Sequence, residues 1–208
     1  AIVWLIYADR LAQLPIALIG VALNVVTLPK LSSLKKSGRL VEGNSYLNQS
    51  MQLSLVFALP ASVGLIYLNF EIISSLFQRG NFSMNDAVQT SKALSIYSLS
   101  IIPISLQLLL LNFYFAERNI RVPFYYSLSS VFLNVSCAYG LLGFYGFLAP
   151  PIAYAITNWF VFISLVYHTY KFGFYFNGSF KRALPRIVLS SCVMLFLLVL
   201  MKSTTIKY

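Results

Sequence analysis

The chain has 208 residues, of which 59% are hydrophobic and only 10% charged, with a net charge of +10 and a mean hydropathy of +0.77. Soluble domains carry about 25% charged residues, so this composition excludes an ordinary soluble globular protein, and the lack of ~10-residue alternating segments excludes a closed membrane barrel. What remains is an all-α, polytopic transmembrane bundle, in which the basic surplus marks loop topology and no nucleic-acid surface is expected.

A spanning helix needs about 20 apolar residues, and six segments qualify: 2–28, 47–77, 87–115, 124–144, 149–170 and 187–201. The first opens directly from Ala1 with no basic flank, which argues against a cleavable signal; its abrupt start, without Met, is expected of a piece of a longer protein. Asp9, Arg10 and Gln13 interrupt this otherwise apolar run. The linker 29–46 sets Lys30, Lys35, Lys36 and Arg39 against Glu42. In the linker 78–86, Ser83 and Asp86 stand three apart as in a capping box, with Asp in place of the usual Glu, so Ser83 is expected to N-cap the third helix. The basic linker 117–123 places Pro123 for the first turn of its helix. A fourth turn, around Tyr145 and Gly146, carries no charge, and the fifth linker, 171–185, holds Lys171, Lys181 and Arg182. The last span is short and is expected to extend back through Pro185. The organisation expected is a five-helix bundle over 1–170, then a basic cytoplasmic linker and one additional transmembrane helix over 171–208.

Linkers one, three and five, with Arg186 just beyond, carry ten Lys and Arg, against Arg79, Lys92, Lys202 and Lys207 on the other side. The positive-inside rule therefore puts the odd linkers in the cytoplasm and the end of the chain outside. Pro15, Pro60 and Pro103 fall inside spans, and Pro150 and Pro151 near a helix start; an interior Pro deletes one backbone hydrogen bond and bends its helix. Asn24, Gln52, Asn69, Glu71, Gln107, Asn112, Asn134, Thr157 and Asn158 are expected mainly to bond between helices. Cys137 and Cys192 read as reduced thiols packed in helices.

Enzyme chemistry finds little support. His168, at a helix end beside Tyr167 and Tyr170, reads as structural; there is no metal-ligand spacing and no phosphate-cradling Gly-rich loop. Five scattered acidic residues form no general acid/base pair. No cofactor or metal is expected. Arg10 lies about 12 Å along the first span, and two readings stay open: the side chain snorkels to the interface, or it faces a water-filled cavity and an anionic ligand. A guanidinium there suits a phosphate-bearing lipid, because its planar fork makes bidentate, permanently charged contacts. Gln13, three residues on, is expected to share its face, whereas the adjacent Asp9 is not a ready ion pair.

The stretch YADRLAQLPIALIGVALNVVTLPKLS from Tyr7 resembles the lipid II flippase family MurJ, also called MviN. LFQRGNFSMNDAVQTSKALSIYS from Leu76 and FYFAERNIRVPF from Phe113 resemble later segments of that family in the same order. The resemblance implies the C-terminal part, from the eighth helix to the thirteenth, of a fourteen-helix exporter fold of the multidrug/oligosaccharidyl-lipid/polysaccharide superfamily. It implies alternating access between two lobes, flipping lipid II from the inner to the outer leaflet of the bacterial inner membrane. Arg10, in the ADRL motif, matches the Arg that the eighth helix gives to the central cavity, with Asp9 and Gln13 beside it as candidate substrate-binding residues. The partners implied are lipid II, membrane lipids and the missing N-terminal lobe of the same protein. Some members bind sodium; Asn134 fits one ligand position, but Ala138 stands where a carboxylate is expected, and Pro150 and Pro151 where a hydroxyl is. The groove for the lipid tail is expected to be incomplete without the fourteenth helix. Alternatives are an exporter of another polyprenyl-linked glycan or an amphipathic drug, or an inactive membrane remnant.

Overall fold

The structure is a computed structural model and describes residues 2–205. The described residues fold into helices α1 (Ile2–Pro15), α2 (Ala22–Lys36), α3 (Leu40–Tyr67), α4 (Asn69–Phe77), α5 (Met84–Ser98), α6 (Ile101–Ala116), α7 (Arg121–Tyr145), α8 (Ala149–Lys171) and α9 (Gly178–Thr205), with a π-helical turn, Ile16–Val21, joining α1 to α2. Five continuous helical stretches are long and apolar enough to cross a membrane. One of them, Arg121–Lys171, is two spans, because α7 and α8 pack against each other across the 3-10 turn Gly146–Leu148. Gly146 makes that reversal at φ 53°, ψ −125°, a conformation open to glycine.

Several expected boundaries move. The first span continues helically to Lys36, so most of the linker 29–46 is helix and only residues 37–39 turn the chain. Lys and Leu are good helix formers, and polar composition alone did not end the helix. The second segment breaks at Leu68, where Asn69 Nδ2 donates to the Ile66 carbonyl at 2.6 Å, a local bond that competes with the helix ladder. The third breaks at Leu99–Ser100, so Pro103 sits in the first turn of α6 and not in a helix interior. The carbonyls this break frees find side-chain donors: Ser62 Oγ donates to Ser98 O at 2.7 Å and Trp159 Nε1 to Leu99 O at 3.1 Å. Irregular backbone at membrane depth is tolerated when neighbouring helices satisfy it in this way. The expected features that hold are the capping box at Ser83 and Asp86, Pro123 in the first turn of α7, Pro150 and Pro151 in that of α8, and α9 running through Pro185.

Two buried clusters hold the bundle. One gathers Leu31, Leu47, Met51, Leu109, Leu110, Phe113 and Leu165 from α2, α3, α6 and α8; the other gathers Ala8, Ala12, Ile73, Ala87, Ala93 and Leu94 from α1, α4 and α5. Some of the polar residues expected to join helices do so, Gln107 Nε2 donating to Asn158 O at 2.7 Å and Asn112 Nδ2 to Asn24 O at 3.4 Å, whereas Asn69 and Asn158 donate to carbonyls three and four residues back; Thr27 Oγ1, not singled out in the sequence, donates to Ser50 Oγ at 3.0 Å. His168 Nδ1 meets Tyr114 Oη at 2.8 Å, which joins α8 to α6. The end of α2 is tied to that of α6, where Lys35 Nζ lies 2.6 Å from Glu117 Oε1 and 3.5 Å from the centre of the Phe113 ring. α9 packs along α3, and the extended residues before it are held by Asn44 and Asn48. α7 packs mainly on α8 and exposes Val131, Phe132 and Tyr139, as a helix facing lipid or an absent neighbour does.

Candidate functional site

The position of Arg10 follows from how α1 is held. Ala8 and Ala12, one turn apart, are buried against α5; small residues let two membrane helices approach closely. At about 100° per residue, Arg10 lies some 200° round the helix from Ala8, on the side α5 does not cover, and it is exposed. Its guanidinium has no hydrogen bond or ion pair among the described residues.

Of the three expected site residues, Arg10 and Gln13 are exposed on the uncovered side of α1, whereas Asp9 is half-buried on its flank. Gln13 Nε2 donates to Asp9 Oδ2 at 2.5 Å, so Gln13 bonds Asp9, whereas Arg10 meets Asp9 only through its charge. Asp9 is half-buried, on the flank of α1 toward Tyr97 and Tyr154, whose rings meet edge to face at 5.7 Å. Toward the start of α1 from Arg10, on the same stripe, Tyr7 stacks on Phe77 at 4.6 Å, and one turn before it Trp4 Nε1 donates to Asp86 Oδ1 at 2.7 Å. These contacts pin α1 to the α4–α5 turn, so Arg10 projects from a fixed helix.

Beyond Arg10, toward α2, the span changes geometry. Pro15 removes one backbone donor, and the six residues after it form the π-turn, a form that is rare and concentrated at functional sites. Gly20, in that turn, is buried against α6: a Cβ there would meet Leu108 Cδ1 at 3.1 Å and Ser105 Cα at 3.3 Å. Sequence reasoning saw Pro15 as a bend and did not find this backbone contact. The only local signal was a proline followed five residues on by a glycine.

The cation site of some family members lies between the seventh, eleventh and twelfth helices, and the part of it that this chain would supply falls in the cleft between α7 and α8, of about 250 Å³. Ser130, Asn134, Tyr154, Thr157 and Asn158 line it, and the buried Thr157 Oγ1 has no partner among the described residues. A hydroxyl is therefore present at Thr157, although not in the stretch where it was expected. All these donors are neutral, no carboxylate lines the cleft, and among the described residues no group of three or more His, Cys, Asp or Glu is placed to hold a metal. A cation at membrane depth without a balancing carboxylate is costly, and α7 and α8 supply none to this cleft.

Comparison with known proteins agrees with the fold. The sequence profile described as "Lipid II flippase MurJ" matches residues 1–208. The "Probable lipid II flippase MurJ" of Rickettsia prowazekii (strain Madrid E) is 25% identical over 209 residues, covering 100% of this chain and 41% of that protein. The protein of the same description in Rhizobium tropici is 31% identical over 195 residues, covering 93% and 37%. A solved structure, "Lipid II flippase MurJ, inward closed conformation", superposes with a TM-score of 0.85 at 28% identity, over 96% of this chain and 41% of that one. The chain thus spans about two fifths of the length of the relatives it matches. With helices of this length and composition it is a multi-pass membrane protein, and it belongs to the lipid II flippase MurJ family.

Proposed function

We propose that this chain is the second-lobe part of a bacterial inner-membrane flippase that moves lipid II by alternating access, with Arg10 as the phosphate-binding cation. The observation that carries the reading is a lone guanidinium on a membrane-spanning helix, without a carboxylate partner among the described residues, on a face this chain leaves uncovered. Even lenient scales assign about 2.5–3.5 kcal/mol to an Arg at the centre of a span. Hydration, or a charged ligand, offsets that cost. A pyrophosphate-linked lipid supplies two phosphates, and the planar fork of Arg10 can take two oxygens at once.

The partner of the uncovered face is the remainder of the protein, the first lobe, which closes a cavity over α1. Asp9, held by Gln13, lies one flank away from Arg10 and tempers the charge of that cavity without neutralising Arg10. No step makes or breaks a covalent bond, so the chain acts as a carrier and not as an enzyme. The odd linkers lie in the cytoplasm, as the basic residues count, and Arg10 then sits in the outer half of its span.

Complementation tests the reading. A full-length flippase carrying this segment replaces the resident one, and Arg10→Ala is scored for growth and for accumulation of lipid II. Loss of growth with lipid II accumulating is expected, and Arg10→Lys is expected to be impaired because the charge stays but the fork is lost. Normal growth of Arg10→Ala would refute the assignment of the site, and normal lipid II levels on depletion of the whole protein would refute the cargo.

A further inference from the structure

A second polar cleft lies away from the first span, in the crease between α3 and α9, with a volume of about 580 Å³. α9 contributes Ser179, Arg182 and Arg186, and α3 contributes Gln49 and Gln52. Arg182 and Arg186 are one helical turn apart, so both guanidiniums project from the same side of α9. No acidic residue lines the cleft. Neither arginine meets a carboxylate among the described residues, where the ion pairs use Lys35, Arg39 and Lys202. The Nε2 of Gln52 is buried and has no hydrogen-bond partner in the described structure, and a buried donor left unpaired is costly. Two cations and an unpaired amide around one space call for an anion with several acceptor oxygens. A phosphate group has that form, and the guanidinium fork matches it.

The direction of the crease identifies the source of the phosphate. α3 and α9 run parallel, tied near their starts where Asn44 and Asn48 hold residues 175–177, while toward its far end α9 is tied through Lys202 to Glu71 of α4, just beyond α3, at 2.5 Å. Gln49, Ser179 and Arg182 stand toward the shared start, and Val56 and Ile187 stand deeper. Past them the outer surface is apolar, with Phe57 on α3 54% exposed and Val193 on α9 52% exposed. Charge at the membrane surface and open apolar helix below it is the profile of a lipid standing in one leaflet. Basic pockets between spans on the cytoplasmic side take anionic headgroups for this reason.

We propose that the α3–α9 crease binds the phosphate diester of an anionic membrane phospholipid. Arg182 and Arg186 hold the phosphate oxygens, Gln52 donates its free amide to one of them, and the acyl chains lie along Val56 and the apolar surface beyond. The site shares no residue with the Arg10 face and stands whether or not this protein moves lipid II.

Native mass spectrometry of the chain in neutral detergent tests it, with dioleoyl phosphatidylglycerol, dioleoyl phosphatidylcholine or millimolar inorganic phosphate as probes. Phosphatidylglycerol is expected to be retained about tenfold or more over phosphatidylcholine, as two basic contacts imply. The double variant Arg182→Gln, Arg186→Gln is expected to lose that preference and Gln52→Leu to weaken it severalfold. Lys92→Gln, which removes an exposed cation on α5, is expected to keep it. Equal retention of the two lipids, or an unchanged preference in the double variant, overturns the proposal. Displacement of phosphatidylglycerol by inorganic phosphate would assign the site to the free ion and overturn the lipid. The comparison of lipids on the unaltered chain needs no variant, so a variant that misfolds does not blunt the test.

Discussion

Asn48→Ala is expected to loosen the start of α9 without unfolding the bundle. Asn48 is 1% exposed; its Nδ2 donates to Asn44 O at 2.8 Å and Tyr175 O at 2.9 Å, and its Oδ1 accepts from Asn177 N at 3.2 Å. Asn44, one turn earlier, also donates to Tyr175 O at 3.0 Å and accepts from Tyr175 N at 3.4 Å. After the substitution Tyr175 O keeps Asn44, whereas Asn177 N loses its partner. One partly buried donor left unpaired costs about 1–3 kcal/mol; at about 2 kcal/mol, local opening becomes roughly 30-fold more frequent. Asn48→Asp is expected to do more, because a carboxylate oxygen replaces a donor facing two carbonyls. Hydrogen exchange of the segment 174–181 reads the effect directly, with α7 and α8 as an internal reference. Exchange there within about twofold of the unaltered chain would refute the view that these two side chains hold the linker.

Other substitutions probe other joints. Gly20→Val forces three carbons against Leu108 and the α6 backbone at Ser105 and is expected to cost about 1–3 kcal/mol by overpacking, read as a lower unfolding temperature in detergent. Gly20→Ala is expected to cost less, since Ala regains up to about 1 kcal/mol of helix propensity. Asp86→Ala removes the acceptor for Ser83 N at 2.8 Å and for Trp4 Nε1 at 2.7 Å, so a lower unfolding temperature and a changed Trp4 fluorescence are expected; Asp86→Asn keeps most of both. In α4, beyond the end of the α3 span, hydrogen bonding from Lys202 holds the Glu71 carboxyl below its ordinary value of 4.5. The stabilisation from this pair is therefore full above that value and lost as pH falls through the lower folded one. Both side chains are about two fifths exposed, so Glu71→Gln is expected to shift stability by under about 1 kcal/mol, in a pH titration of thermal unfolding.

What could be read from the sequence was whatever leaves a local mark. Apolar length gave the six spans, Ser83 with Asp86 gave a helix start, and Pro123 gave another. A charge in an oily run singled out Arg10. The breaks at Leu68 and at Leu99–Ser100 left no such mark, because composition stays apolar across them and the bonds that tolerate the second come from Ser62 and Trp159, distant in sequence. The Asn44–Asn48 clamp was equally hidden: its partners lie about 130 residues on and are backbone atoms, which any residue type supplies. Lys30, Lys35 and Lys36 were read as loop residues because charge marks the membrane boundary, yet charge does not end a helix. Gln13 was expected on the face of Arg10, but helical spacing also sets it four residues from Asp9, and that is the neighbour its amide bonds.

The central claim is that Arg10 faces water and phosphate and does not face lipid. In a full-length flippase carrying this segment, with Cys137 and Cys192 replaced by Ser, Arg10→Cys is exposed in membranes to a charged, membrane-impermeant thiosulfonate, which reacts only with hydrated thiols. Rapid labelling at position 10 is the predicted result. A thiol as inert there as one at Val193, on the apolar surface of α9, would contradict the account.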